Sequence, residues 1–374
     1  MSNRYFIDKF DNSGVRIGVI SAFTELTYVR VVNEVGGLVL RMPYRLVNLN
    51  DWSVNQILEI WREKNGVLSL QNETAYFVQD WKVYTNNGQH IFEVYAPDAN
   101  YLLDTRIVAY YAGSEQAEKD GYADDLMKEI VAENLGEDAD DVTIWTPETS
   151  RIIPTLAVAP NYGASQNVKK GIAYRNVLTA CQDIAKSAEE AGTPTYFDII
   201  RTSPGHFEFR TYTGQRGDNH GALSGSVRLV GEIYGNLENA EFSILHSNER
   251  TFTLAGGKGE EDDRVLKHAI DINRALQGHP YNLRELFFDA RNSEVEGQIQ
   301  SEADTALNES KPKSYITGNL VDTYGFAWNV HYKFGDVLSV EAFGRKVDCK
   351  VNKVSVRVSA DGYERIEAAL EGEL

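Results

Sequence analysis

Cysteine is almost missing from this chain of 374 residues: only Cys181 and Cys349 are present, far apart. Two such thiols build no disulfide framework and no four-cysteine zinc site within one chain. Long apolar runs are missing too, since no stretch of about 18 apolar residues is available to cross a bilayer as a helix. The opening MSNRYFIDKFDNSG lacks the apolar core of a secretory signal. The expectation is synthesis and folding in a cytoplasm, without membrane insertion. Basic charge is scarce: 37 Lys and Arg stand against 55 Asp and Glu, a net charge of −18. The imbalance is concentrated, because residues 111–150 hold twelve acidic and two basic side chains while residues 311–374 hold nine of each. Such a surface repels phosphate backbones and argues against gripping nucleic acid. An acidic or neutral wall still suits DNA that must slide past it.

Motifs of covalent and nucleotide chemistry are absent in turn. No G-x-S-x-G elbow occurs. His90, His206, His220, His246, His268, His279 and His331 form neither HExxH nor HxH, so each is expected on a surface or at a strand end. Cys181 lies on an apolar helical stripe and is expected to pack as a small hydrophobe. Cys349 alternates within KVDCKVNKV and is expected to face a core. The most motif-like run is LAGGKGEEDDR, residues 254–264. It fails as a phosphate loop because Lys258 is followed by Gly259 rather than Ser or Thr, and four carboxylates then oppose an anion. Glu260, Glu261, Asp262 and Asp263 are hard oxygen donors, but the spacing of a calcium loop is missing. The expected reading is a sharp, exposed turn at Gly256–Gly259, with the acids opening the next segment. The RGD at 216–218 carries no meaning without context. No residue is assigned as catalytic, cofactor-binding or metal-binding, and no cofactor is implied, which favours a structural or assembly protein over an enzyme. Two alternatives stay open: a carbohydrate-active protein using a carboxylate pair, and a carbohydrate-binding one using some of its 20 tyrosines.

What is present is mostly short, β-branched or aromatic runs between turn residues. RYFIDKF, VRIGVIS, ELTYVRVV, GLVLRMP, VLSLQ, TAYFVQDWKVYT and HIFEVYAP predict strands, with Asn86-Asn87-Gly88 as a hairpin turn. ILEIWREKN (57–65) predicts a short helix within them. Residues 99–112 and 123–136 predict helices, as does 167–191, where Val177, Cys181, Ile184 and Ala188 form one stripe that Gly192 ends. TYFDIIR and HFEFRTY predict a hairpin that completes a small α+β domain, and 214–225 is a polar, glycine-rich joint. Strands follow in VRLVGEIY, AEFSILH and RTFTLAGG, then helical segments in DDRVLKHAIDINRAL and SEVEGQIQSEADTALNES. Strands return in SYITGNLV, GFAWNVHY, DVLSVEAF, KVDCKVNKVSVRVS and ERIEAAL.

Taken in order, several phrases resemble the baseplate-hub or tail-hub proteins of long-tailed bacteriophages, in particular the siphovirus hub family related to the contractile-tail hub. They are VRIGVISAFTELTYVRVVNEVGGLVLRMP, AYRNVLTACQDIAKSAEEAG with FEFRTYTGQRGD, IYGNLENAEFSILHSNERTFTLAGGKGEEDDR, LRELFFDARNSE, and the closing HYKFGDVLSVEAFGRKVDCKVNKVSVRVSADGYERIEAAL. The resemblance covers nearly the whole chain and is poorest at 136–170. It implies a mainly β fold with α+β insertions: two tail-tube-like antiparallel β-barrels plus two smaller domains. The first barrel is expected at 1–98, an α+β domain at 99–224, the second barrel at 225–258 with 312–374, and an inserted helical domain at 259–311. It further implies a homotrimeric structural hub of the virion, at the tail tip or baseplate. That hub would join a distal tail or tube protein and the tape measure protein to a central tip or fibre protein, and would gate the channel through which DNA passes in transit. The same hub could serve a tailocin or gene-transfer agent. Because the chain stops soon after Asp361-Gly362, the resemblance implies a minimal hub with any fibre or lysin encoded separately.

Overall fold

The structure, a computed structural model, describes residues 4–64, 66–71, 73–110, 116–140, 150–259, 264–290 and 296–372. The protein is mainly β and divides into two compact units, Met1–Glu241 with Ile316–Gly372, and Phe242–Tyr315.

The larger unit opens with β1 (Arg4–Phe10), β2 (Arg16–Ile20), β3 (Glu25–Val31) and β4 (Gly37–Pro43). In β1, β3 and β4 alternate residues face the core, as the pleat of a strand allows; in β3 these are Leu26, Tyr28 and Arg30. β5 (Ile57–Lys64) is a strand where the sequence predicts a helix. Ile57, Leu58, Glu59 and Ile60 are all buried, so the period-two signal is erased and the apolar run mimics a helix. β6 (Val67–Leu70), β7 (Tyr76–Phe77), β8 (Asp80–Asn86) and β9 (Gln89–Pro97) follow. Asn87 and Gly88 both take positive φ in the β8–β9 turn, the backbone that a tight hairpin demands. One sheet has the order β2-β1-β5-β6, with β7 also on β5, while β3-β4-β9-β8 belong to a larger sheet.

The α+β part holds α1 (Tyr101–Asp104), β10 (Ala117–Tyr122), α2 (Ala123–Asn134), β11 (Leu156–Val158), β12 (Asn167–Ile172), α3 (Val177–Glu190), β13 (Thr195–Ser203) and β14 (His206–Thr213). The helix predicted at 99–112 shrinks to the single turn α1, and its last two residues lie outside the described ones. Beyond α1, Val108 and Ala109 are buried, and their backbone N–H groups donate to the Arg175 carbonyl and the Asn134 side chain. The helix predicted at 167–191 starts only at Val177, where the Asn176 side chain caps it by accepting from Thr179 N. Its first six residues instead form β12, paired with β10. Leu126, Ile130 and Val131 of α2 share one core with Val177, Cys181, Ile184 and Ala188 of α3, beside Phe197 of β13 and Phe209 of β14. The loop at 160–165 is tied to the first turn of α2. Asp125 accepts from Tyr162 N and Gly163 N, Asp124 accepts from Ala164 N and Ser165 N, and Lys128 donates to the Pro160 carbonyl.

Then come β15 (Asn219–His220), β16 (Leu229–Gly231), β17 (Leu237–Leu245), β18 (Phe252–Gly256), β19 (Leu266–Ile270), α4 (Ile272–Leu276), β20 (Glu285–Asp289), α5 (Glu296–Glu309), β21 (Lys313–Leu320), β22 (Val337–Ala342), β23 (Arg345–Ser359) and β24 (Glu364–Glu371). The segment predicted helical from Asp262 onward begins, within its described part, as the strand β19. Ala269 there turns to the core while Leu266, His268 and Ile270 are exposed. GFAWNVHY, predicted as a strand, is a compact loop. Asn329 adopts positive φ, Phe326 stacks on Tyr332 at 4.4 Å, and His331 Nδ1 accepts from Ala327 N at 3.0 Å.

The large sheet runs β17-β21-β24-β23-β3-β4-β9-β8, with β22 on β23 and the short β15 and β16 parallel to β22. β23 therefore joins the two ends of the chain. Its residues 345–350 pair with β22, and Lys353–Ser359 pair antiparallel with Val31–Glu25 of β3. Among the described residues neither large sheet closes on itself. The smaller unit has the sheet β19-β18-β20, covered on one face by α5 through Ile299, Ala303 and Leu307 against Ala255 and Ala269. β18, expected with the second barrel, is paired within this sheet.

Candidate functional site

Charged side chains stand at inward-facing strand positions in the larger unit, where apolar residues would be usual. Arg30 follows Leu26 and Tyr28 on the buried face of β3, and its side chain is wholly buried. It donates to Asp98 at 3.1 Å and to Asp198 of β13 at 2.7 Å. Asp198 also takes Arg216 at 2.5 Å. Asn100 donates to Asp198 and accepts from Ile199 N, while Asp98 accepts from Gly36 N and Asn100 N. Phe334 lies beneath both guanidinium groups, 5.8 Å from Arg30 and 5.6 Å from Arg216. Two cations and two carboxylates thus balance inside the protein. They come from the first β region, the α+β part and the joint after it. A buried ion pair is tolerable only when charge and hydrogen bonds are matched in this way.

A second centre ties the first β region to the C-terminal one. Arg62 of β5 donates to Glu364 of β24 at 2.5 and 2.8 Å, to Asp322 at 3.0 Å and to the Trp328 carbonyl at 2.9 Å. Lys64 pairs with Asp322 as well. A third link joins buried Glu59 of β5 to Arg201 of β13 at 2.8 Å.

Beside the first centre opens a cleft of about 220 Å³, lined by Glu73, Arg216, Asp218, Trp328, Lys333 and Asp336 among others. The RGD tripeptide lines it and is not a displayed loop tip. Arg216 turns inward to Asp198, and a Cβ on Gly217 would stand 2.3 Å from Asp336 Oδ1. On the rim, Asp218, His220 and Asp336 place one ligand atom each within 4.8 Å of one another. Parallel pairing of β15 with β22 arranges this: Asn219 is level with Val337, so Asp218 and Asp336 are neighbours, and His220 shares the Asp218 side of its strand. Burial first, with Asp218 adding to it, holds the Asp336 carboxyl above its usual range.

The glycine-rich stretch at 254–264 begins as the end of β18, which closes at Gly256. Gly256 and Gly257 are buried, so only Lys258 and Gly259 of the expected exposed turn are exposed, and Gly259 takes φ of 116°. Arg264 folds over the glycines, donating to the carbonyls of Gly256 and Gly257 and to Asp289. Residues 260–263 lie outside the described ones. Cys181 and Cys349 are buried as expected, and burial pushes the Cys349 thiol up to about 12 and Cys181 higher still.

The profile of the siphovirus ReqiPepy6 Gp37-like proteins matches residues 7–370. The chain belongs to this family. No curated protein sequence matches it. The Gp37-like fold is similar to that of a tail protein from Neisseria meningitidis MC58, with a TM-score of 0.61 at 11% identity over 98% of this chain and 96% of the other. It is also similar to the 43 kDa tail protein of prophage MuSo2 from Shewanella oneidensis, with a TM-score of 0.61 at 9% identity over 98% of each chain. A third likeness is to prophage tail protein gp18 from Listeria monocytogenes EGD-e, with a TM-score of 0.53 at 10% identity, covering 98% of this chain and 94% of that one. At such identities the likeness is one of fold.

The first charged centre of this Gp37-like chain carries a pH response. Burial pushes Asp98 up to about 6, with Arg30 opposing and Asp198 adding to the rise. Burial also pushes Asp198 up, but Arg30 and Arg216 together outweigh it and hold that carboxyl low. A carboxyl raised on folding stabilises below its unfolded value of about 3.9 and loses that contribution as pH climbs through its folded value. Asp98 should therefore add stability as pH falls from 7 towards 5, while Asp198 resists only below about 4. Compared with Asp98→Asn, the parent should gain in relative Tm between pH 7 and pH 5. A Tm difference that stays constant across that range would contradict the assignment.

Proposed function

We propose that the protein is a structural hub of a phage tail tip or baseplate, and that three copies form a ring. The family match over residues 7–370 carries this reading, and a fold shared from end to end with phage tail proteins supports it. In this reading the hub joins a tail tube or distal tail ring to a central tip or fibre, and the ring gates the passage of DNA. The β region at 1–98 and the β region at 225–258 with 312–374 are the two tail-tube-like halves, so that three copies present six similar surfaces to a tube. The acidic excess keeps DNA from adhering during transit. Edge strand β2 suits a subunit boundary, because Ile17 and Val19, with Val15 just before them, are exposed apolar residues on alternate positions. No reaction is assigned to the protein.

Light scattering on the purified chain should give three times the 41.9 kDa protomer mass, and negative-stain images should show a ring. Ile17→Lys with Val19→Lys should lower the mass to that of a monomer while leaving circular dichroism unchanged. A parent protein that is monomeric at tens of micromolar would overturn the trimeric ring.

A further inference from the structure

We propose that Asp218, His220 and Asp336 form a binding site for a first-row divalent cation that clasps the joint after the α+β domain to β22. The donor set is one imidazole and two carboxylates, which suits such ions better than an all-oxygen cage would. His220 Nδ1 lies 2.9 Å from the Ser226 carbonyl and 2.8 Å from the Ser226 hydroxyl; the carbonyl can only accept and the hydroxyl can also accept, so a proton on Nδ1 satisfies both contacts and leaves the Nε2 lone pair for an ion. This is the outer-shell bond that orients metal-ligating histidines. Nε2 stands 3.7 Å from Asp336 Oδ2, too far for a hydrogen bond. Two atoms that each bind one zinc ion at ~2.1 Å are separated by roughly 3.4–3.7 Å.

The surroundings hold these groups in place. The Asp336 side chain is 3% exposed. Its two oxygens are fixed by Asp218 N and Lys333 N, each at 2.7 Å, and each oxygen retains a free lone pair. The turn after His220 is anchored to Asp348, which accepts from Ala222 N, and a Cβ on Gly221 would meet that carboxylate at 2.4 Å. Asp218 is exposed and, with Asp336, lines the cleft, where water can complete the coordination. The ion would bridge residues 218–220 to residue 336, a closure of more than a hundred residues of chain.

The full chain, stripped with EDTA and dialysed, should bind one Zn²⁺ per protomer in calorimetry, with Kd of about 10 µM or tighter. A hundred-fold excess over Kd should raise Tm by several degrees. His220→Ala should weaken binding by at least about 10-fold, and Asp218→Asn, at an exposed side chain, should do the same without disturbing the fold. His246→Ala, which removes a histidine paired with Glu249 elsewhere, should bind like the parent. Absence of stoichiometric Zn²⁺ binding would overturn the proposal. So would tighter binding of Ca²⁺ than of Zn²⁺, or parental affinity in both the His220 and Asp218 variants.

Discussion

Arg30→Ala should destabilise the larger unit by about 3–5 kcal/mol, the cost of stripping one partner from a dehydrated ion pair. The reason lies in what remains. Asp198 keeps Arg216, but Asp98 loses its one cationic partner among the described residues and retains the N–H groups of Gly36 and Asn100. Both carboxylates are shut away from water, so ions in solution cannot substitute for the guanidinium. The loss, read from urea unfolding, should therefore be nearly the same at 50 mM and 500 mM salt. Adding Asp98→Asn to Arg30→Met should recover part of it, because the unpaired charge is then gone and the methionine fills the space. A loss below about 1 kcal/mol would mean that water reaches this centre after all.

Arg62→Ala is the second large effect, and it should be smaller and more local. Glu364 and Asp322 are 7% and 19% exposed, so water screens what the arginine leaves behind, and about 2–3 kcal/mol is expected, below the full cost of a broken buried pair. Asp322 keeps Lys64, and it still accepts from Trp328 N at 2.8 Å. The Trp328 carbonyl, by contrast, loses its donor. Hydrogen exchange should accelerate across 322–332 while α2 and α3 stay protected. Arg62→Lys should rescue poorly, since a single ammonium cannot reach two carboxylates and a carbonyl in a fork. Uniform acceleration through the whole unit would show that the contact is global rather than a local brace.

What the sequence reveals follows how local each signal is. α2 and the stripe of α3 are legible because apolar spacing and a terminal glycine lie within a few residues of each other, whereas the Asn176 cap goes unread and the predicted start falls at 167. The β8–β9 and β13–β14 hairpins are legible for the same reason. β5 and β19 are misread. Burial on both sides removes alternation from Ile57–Ile60, and in β19 the exposed face itself carries Leu266 and Ile270. The charged centres leave a single trace, an arginine in phase with Leu26 and Tyr28. Its partners are 68 and 168 residues away in the chain, and no pattern along the chain names them. Asp218 and His220 show the spacing of a shared strand side. Asp336 joins them only through parallel pairing, which composition and periodicity do not disclose.

β23 gives the molecule a directional mechanical property. Its hydrogen bonds to β3 lie across the strand axis, and seven consecutive residue pairs connect the two strands from Lys353↔Val31 to Ser359↔Glu25. A tug directed along the strands loads all of these rungs together, as in shear. A pull directed across them would open the ladder one rung at a time. Force spectroscopy with handles at residues 25 and 353, which slide the strands past each other, should therefore record a much higher rupture force than handles at residues 31 and 353, which peel them from one end.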